Sequence, residues 1–518
     1  MAKKKAPAKK KKPKKPAAGS GPRVRVRMYR QGLGDCFLIT FDVGGNEKHM
    51  LIDCGTLGAT TTGVKLEKVV ENIKTTTGGP NGHLHLLIAT HEHLDHVSGF
   101  RSQMAVFKKM TIDRVWMAWT ENPKDDLAKK IVKYKNDLGV ALKQAAAALQ
   151  SPSASAAAKK NGEAIDSILG FFDDDGAKPI GASKFSPTVD EAMDFIRKGT
   201  GVNALHKVPG EVIEESWLPG FRFFVLGPPK DETALYSLGE HGSSQLYSLA
   251  NALRSAAALF ASGQPAAEAF AADGEEKNAF AASVPFDVRF RREAGSPETK
   301  TMFADYLEED EWRQINEDWL NVASDLALQL DSATNNTSLV LAIERIADGK
   351  VLLFPADAQE GSWVSWHDDK LKFKVTGANA GTVKASDLLS RTVFYKVGHH
   401  SSHNATAKGK GLEMMESPKE LTAFIPVDRA VALKRNPQGS WKMPARPLYR
   451  RLMEKCNGRV VRSDIGFAAD PTSAGVDKTV EKEFVGMATK KEWTDWGTSQ
   501  KAAKHITIDP LFIDYVLE

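Results

Sequence analysis

A short apolar run, Leu84 to Ala89, breaks off into Thr90-His91-Glu92-His93-Leu94-Asp95-His96. An apolar run of this length, ended by polar ligand-type residues, reads as a buried strand rather than a helix. The strand delivers His91 and His93 at its C-terminal end, with Asp95 and His96 in the turn beyond. Imidazole and carboxylate are the ligand types of hydrolytic zinc, manganese or iron sites. His91 and His93 can face one ion, and Asp95 and His96 a second. The constraint on the fold is topological: other strands must end beside this one if the donor set is to be completed.

Several do end in donors. The run Met50 to Cys54 closes on Asp53 and Gly55. A carboxylate at a strand end, beside a glycine that lets the chain turn, can stand behind a metal ligand and orient it; taken alone, Asp53 would read as a loop cap. The hairpin of Ser338–Ile343 and Val351–Phe354 turns at Asp348-Gly349 and runs into Pro355-Ala356-Asp357. The run Val393 to Val397 ends in Gly398-His399-His400-Ser401-Ser402-His403. His403 could protonate a leaving group or be a solvated loop histidine. Strands are also expected at Arg23–Met28, Phe37–Phe41, Ile112–Trp119, Phe221–Leu226, Leu421–Val427 and Arg459–Arg462. Helices are expected at Leu66–Lys74, Asp125–Gln150, Asp190–Lys198, Glu311–Leu330 and Arg446–Cys456.

Charge is distributed unevenly. The net charge is +5, but residues 1–16 hold nine lysines and no acid, so the remainder carries 5 − 9 = −4. The Lys/Pro/Ala-rich tail, 1–22, should be extended, because like charges repel and proline blocks helix. It can contact nucleic-acid phosphates without sequence preference, or serve as a solubilising leader. No apolar run of about 18 residues or more occurs, so no membrane span is expected. The three cysteines are too few and too scattered for a disulfide framework, which fits a cytoplasmic location.

The chain order of Asp53, the H-x-H-x-D-H run, Asp357 and His399-His400 resembles the metallo-β-lactamase fold, an α/β protein built as an αββα sandwich with a dinuclear site along one edge. The closer resemblance is to the soluble hydrolase domain of ComEC-type DNA-uptake proteins and its stand-alone relatives. It rests on Gly34-Asp35-Cys36-Phe37, Leu51-Ile52-Asp53-Cys54-Gly55, Asn335-Asn336-Thr337-Ser338, Leu353-Phe354-Pro355-Ala356-Asp357, Lys396-Val397-Gly398-His399-His400 and Arg462-Ser463-Asp464-Ile465-Gly466. On this resemblance residues 23–470 form the domain, with helical insertions at about 125–200 and 231–330 and a C-terminal extension at 471–518. The resemblance implies two divalent ions, zinc or manganese. His91 and His93 would hold one ion, Asp95 and His96 the other. Asp357 would bridge them, and His399 or His400 would complete the second position. Many family members carry a histidine just before the strand that here begins near Ser338; this chain has Asn335 and Asn336. An amide oxygen is a weaker, harder ligand, which would weaken the first position or favour manganese.

The activity so implied is metal-dependent hydrolysis, with water activated between the ions and Asp95 able both to ligate and to take a proton. A phosphodiesterase or nuclease fits the basic tail. A hydrolase of small esters, with the helical insertions as a lid, is the alternative. A third reading is an effector or binding module of a prokaryotic multi-protein system, docked to protein partners through its insertions.

Overall fold

The structure is a computed structural model that describes residues 21–58, 60–150, 156–173, 186–235, 297, 301, 318–377, 380–435 and 441–518. The lysine-rich stretch and most of the 231–330 insertion, including its break near 263–277, lie outside the described residues.

Two eight-stranded sheets face each other. The first begins with β1 (Val24–Tyr29), β2 (Cys36–Val43), β3 (Asn46–Cys54), β4 (Leu86–Ile88), β5 (Val115–Ala118) and β6 (Leu205–Lys207). The second holds β7 (Val212–Ile213), β8 (Phe221–Gly227), β9 (Val340–Arg345), β10 (Lys350–Phe354), β11 (Thr392–Lys396), β12 (Thr422–Ile425), β13 (Val460–Arg462) and β14 (Gly466–Phe467). The chain then returns to the first sheet as β15 (Ile506–Ile508) and β16 (Phe512–Leu517). The order is β15-β16-β1-β2-β3-β4-β5-β6 in one sheet and β14-β13-β12-β11-β10-β9-β8-β7 in the other. Hairpin neighbours pair antiparallel; β3 through β6 and β10 through β13 pair parallel across helical connections.

Alternation explains the layering. Val24, Val26 and Met28 of β1 and Phe37, Ile39 and Phe41 of β2 point between the sheets, where they meet Phe221, Phe223, Leu341, Ile343 and Phe354. The rings interlock edge to face, as Phe37 with Phe354 and Trp116 with Phe223. Residues of the opposite parity face helices. Leu38, Leu51 and Leu87 join the cluster containing Val69, Val70 and Ile73 of α1 (Leu66–Thr76) and Val97 and Phe100 of α2 (Leu94–Ser102). On the other side Leu353, Tyr395 and Ala423 join Trp363, Leu388 and Leu452.

The central expectations about element type hold, with instructive differences. The run at Leu84–Ala89 is not one strand. His83–Leu84 pairs with Thr111–Ile112, His85 N–H donates to His49 O, and only Leu86–Ile88 enters the first sheet. The chain changes partner at His85, so the run at Ile112–Trp119 divides as well, ending in a 3-10 turn at Trp119–Glu121. Between β5 and β6 lie α3 (Asp126–Leu149), α4 (Ala156–Leu169) and α5 (Pro187–Asp194), and α6 (Asp318–Asn335) precedes β9. Within the described residues α6 runs past Leu330 to Asn335, which puts Asn335 on a helix. In the 471–518 stretch, β16 pairs with β1 over its whole length.

Candidate metal centre

The C-terminal ends of β3, β4, β10 and β11 meet at one end of the sandwich, and each contributes donors. The loop after β4 is fixed by backbone contacts. Asp35 N–H donates to Asp95 O at 2.9 Å, and Leu339 N–H donates to Thr90 O at 2.9 Å, which ties the two sheets together. Gly34 and Gly55 pack directly on the Asp95 peptide; a Cβ on either would collide with its backbone. The donor-bearing turns use left-handed conformations that cost free energy for residues with a side chain. Among the described residues the non-glycine positive-φ positions are Asp53, Ala356, His399, His400, Ser401 and Asn457, and all but Asn457 adjoin the donors.

The cluster is buried: His91, Asp95, His96 and His400 are fully covered, and His93 and Asp357 nearly so. His400 Nε2 lies 2.8 Å from Asp95 Oδ2, and His96 Nε2 lies 3.1 Å from Asp357 Oδ2. Donor atoms of His91, His96 and Asp357 gather within 4.8 Å of one another, as do those of Asp95, Asp357 and His400. Asp357 belongs to both groups.

Hydrogen bonds behind the cluster set its tautomers. His96 Nδ1 lies 2.7 Å from Asp53 Oδ2, and His400 Nδ1 lies 2.7 Å from Pro426 O. A carboxylate and a carbonyl only accept, so both rings carry the proton on Nδ1 and present Nε2 to the cluster. Thr90 Oγ1 donates to Asp53 Oδ2 and can accept from His91 Nδ1 at 3.2 Å, which leaves His91 Nε2 inward too. Asp53 therefore stands behind His96 and Thr90. Asp357 is held by Lys396, whose ammonium donates to Asp357 Oδ1 at 2.9 Å and Ala356 O at 2.8 Å and pairs with Asp35 Oδ2 at 2.6 Å. The His399 N–H also donates to Asp357 Oδ1, at 2.8 Å.

The electrostatics are those of cations and anions sharing a dry space. Burial pushes the Asp357 carboxyl up, but Lys396 and His96 outweigh it and hold it well below the usual carboxylate range. Asp95 is likewise held to about 2 by His96 and His400 against burial. Burial opposes charge on His96, yet Asp357, Asp35, Asp95 and Asp53 raise it well above the ordinary imidazole value. Burial takes His93 down to about 3 and His399 to about 4.

These residues fit divalent ions. Three inward Nε2 atoms, the carboxylates of Asp95 and Asp357, and an Asp95 Oδ1 that among the described residues has no hydrogen-bond partner form a nitrogen and oxygen donor set.

Of the two adjacent histidines, His400 faces Asp95, whereas His399 Nδ1 is engaged by Ser402 Oγ at 2.9 Å and lies 3.4 Å from Gln359 Nε2. His403 is exposed, and among the described residues no hydrogen bond ties it to the cluster. Asn335 spends its amide nitrogen on Asp331 Oδ2 at 3.0 Å, and among the described residues its Oδ1 has no partner; Asn336 Oδ1 accepts from Gln359 N–H at 3.1 Å. Sequence reasoning gave no role to Lys396, Asp35 or Asp331. A signal existed for Lys396: a lysine inside an apolar strand must find a buried counter-charge.

Residues 29–110 match the family model of the metallo-beta-lactamase superfamily, a span that contains Asp53 and the whole His91–His96 run. No curated protein matches the chain. The αββα sandwich around the matched span is the metallo-β-lactamase fold.

Proposed function

From a metallo-β-lactamase-type sandwich that gathers four strand ends around one buried donor cluster, we propose that this protein is a dinuclear metal-dependent hydrolase of phosphodiesters, a nuclease in its substrate class. The observation that carries the hydrolase reading is the convergence of the inward nitrogens of His91, His96 and His400 on the carboxylates of Asp95 and Asp357. The nuclease reading draws on the lysine-rich residues 1–16, a composition that can contact a phosphate backbone without sequence preference.

His91 and His93 would hold one ion with Asp357 shared, and Asp95, His96 and His400 the other. Divalent ions in such a site polarise the scissile group and lower the pKa of water toward neutrality. The chain's own groups do the rest. Lys396 and the His399 N–H fix Asp357 Oδ1, so that Oδ2 stays turned to the cluster. Asp53 and the Pro426 carbonyl keep protons on the outer nitrogens of His96 and His400. Asp95 Oδ1, which among the described residues has no hydrogen-bond partner, is left free for an ion or for the O–H of a bound water. Phe171 and Phe172 pack on the His93 ring, with ring centroids 5.5 and 4.6 Å away, and exclude water from that side.

That aromatic cover favours a second reading, hydrolysis of a small ester beneath the helical insertion. The two are separated by assaying one preparation on DNA, RNA and chromogenic esters and phosphodiesters, beside His93→Ala and Asp357→Ala. Nucleic-acid cleavage lost in both variants, with about two metal equivalents in the parent, is the expected result. A loaded parent that leaves all nucleic acids intact would end the nuclease reading, and ester turnover would then favour the second.

A further inference from the structure

His93 is oriented unlike the other histidines of the cluster. His91, His96 and His400 turn Nδ1 outward, to Thr90, Asp53 and Pro426, and Nε2 inward. In His93 it is Nδ1 that faces the cluster, 3.1 Å from His91 Nε2. Its outer nitrogen, Nε2, is buried and among the described residues has no hydrogen-bond partner. The carboxylate across from it is Asp331, with Oδ1 at 3.9 Å, and this oxygen is also buried, with no hydrogen-bond partner among the described residues.

Asp331 lies on α6, in the insertion, one helical turn before Asn335, so the two share a face. Asn335 Nδ2 donates to Asp331 Oδ2 at 3.0 Å, which fixes the carboxylate and leaves Oδ1 for another donor. The same face carries Ala327 and Leu330, both fully buried, so Asp331 is an acid on the covered side of its helix. A histidine that offers its Nδ1 lone pair to an ion must carry its proton on Nε2, and a buried N–H needs an acceptor. The 3.9 Å separation exceeds a hydrogen bond by less than an ångström, within reach of a rotamer adjustment.

We propose that Asp331 is the positioning residue of His93: it accepts the Nε2 proton, locks the tautomer that presents Nδ1 to the first ion, and is itself held by Asn335. The inference rests on the cluster being a metal centre. It assigns Asn335, at the place where a further ligand was expected, to the orienting shell, and it links α6 to the site.

The test uses the full chain, stripped and reloaded with zinc or cobalt, with affinities measured by chelator competition. Asp331→Asn should weaken one metal equivalent by about 10- to 100-fold and leave the other unchanged, with the cobalt visible spectrum retaining its intensity. Asn335→Ala, which keeps the carboxylate, should weaken the same equivalent by less. Equal affinities in parent and both variants would overturn the assignment. So would a cobalt spectrum whose intensity reports a changed coordination number in Asp331→Asn, because Asp331 would then be a direct ligand. If the asparagine variant fails to fold, Asn335→Ala decides by the same criterion. A parent that takes up no metal would instead sink the metal-centre reading itself.

Discussion

Lys396→Met removes a buried charge while nearly preserving side-chain length, so its effect is mainly electrostatic. The ammonium lies 2.6 Å from Asp35 Oδ2 and 2.9 Å from Asp357 Oδ1, and both acids are buried. Removing one partner of a buried ion pair costs about 3–5 kcal/mol, because the other charge is left uncompensated. With an unfolding entropy of about 2.1 cal/mol/K per residue, a chain of 518 residues loses about 3–5 °C of thermal midpoint for that change. The variant should also lose less stability on acidification than the parent does. Burial raises the Asp357 carboxyl, and Lys396 is the leading attraction that lowers it. A carboxylate depressed in the fold contributes stability that is present above its unfolded value of 3.8 and lost as pH falls through its folded value. Without Lys396 the folded value rises and that contribution shrinks. Calorimetry of metal-free protein at neutral pH, repeated after reloading, is the assay; reloading should recover part of the loss by returning positive charge beside Asp357. A metal-free midpoint within about 1 °C of the parent would refute the reasoning, since it would mean a compensated loss well below the buried-pair range.

Three further outcomes are expected. His400→Ala should lose about one metal equivalent by elemental analysis and His399→Ala should keep both, because only His400 turns a ring nitrogen to Asp95. Gly55→Ala should displace the Asp95–His96 backbone and lower metal affinity; an unchanged chelator-competition curve would contradict the packing described. Burial, and after it neighbouring cations, hold His49 and His85 near 4, against 6.5 for free imidazole. Both are neutral in the fold, and the unfolded chain binds more protons below about 6.5, so metal-free stability should fall as pH drops from about 6.5 to about 4. His85→Gln should flatten that slope in a series of thermal melts.

The part of the candidate site that lies on strand ends was legible in the sequence, because a strand that stops in His or Asp announces both its length and its donors. His91, His93, Asp95, His96, Asp357 and the His399-His400 pair could be found that way. The choice between His399 and His400 could not, because it depends on three consecutive left-handed residues, His399 to Ser401, that no local pattern announces. Asp331 was hidden for a different reason. On an amphipathic helix an acid reads as solvent-facing, and only the tertiary placement of α6 turns that face inward. The broken strand at His85 shows the same limit: an apolar run records burial but not a change of pairing partner.

The pairing of β16 with β1 bears on how the molecule is assembled. Arg27 and Asp514, bound bidentately across these strands, are 487 positions apart. Until the far segment arrives, β1 presents a bare edge to any other extended chain, and loop closure over such a span is slow. The sandwich thus has a late step by construction, in which a half-finished sheet must be kept from its neighbours. Holding chaperones, low concentration or slow expression should raise the yield of this protein more than any stabilising substitution in the finished core.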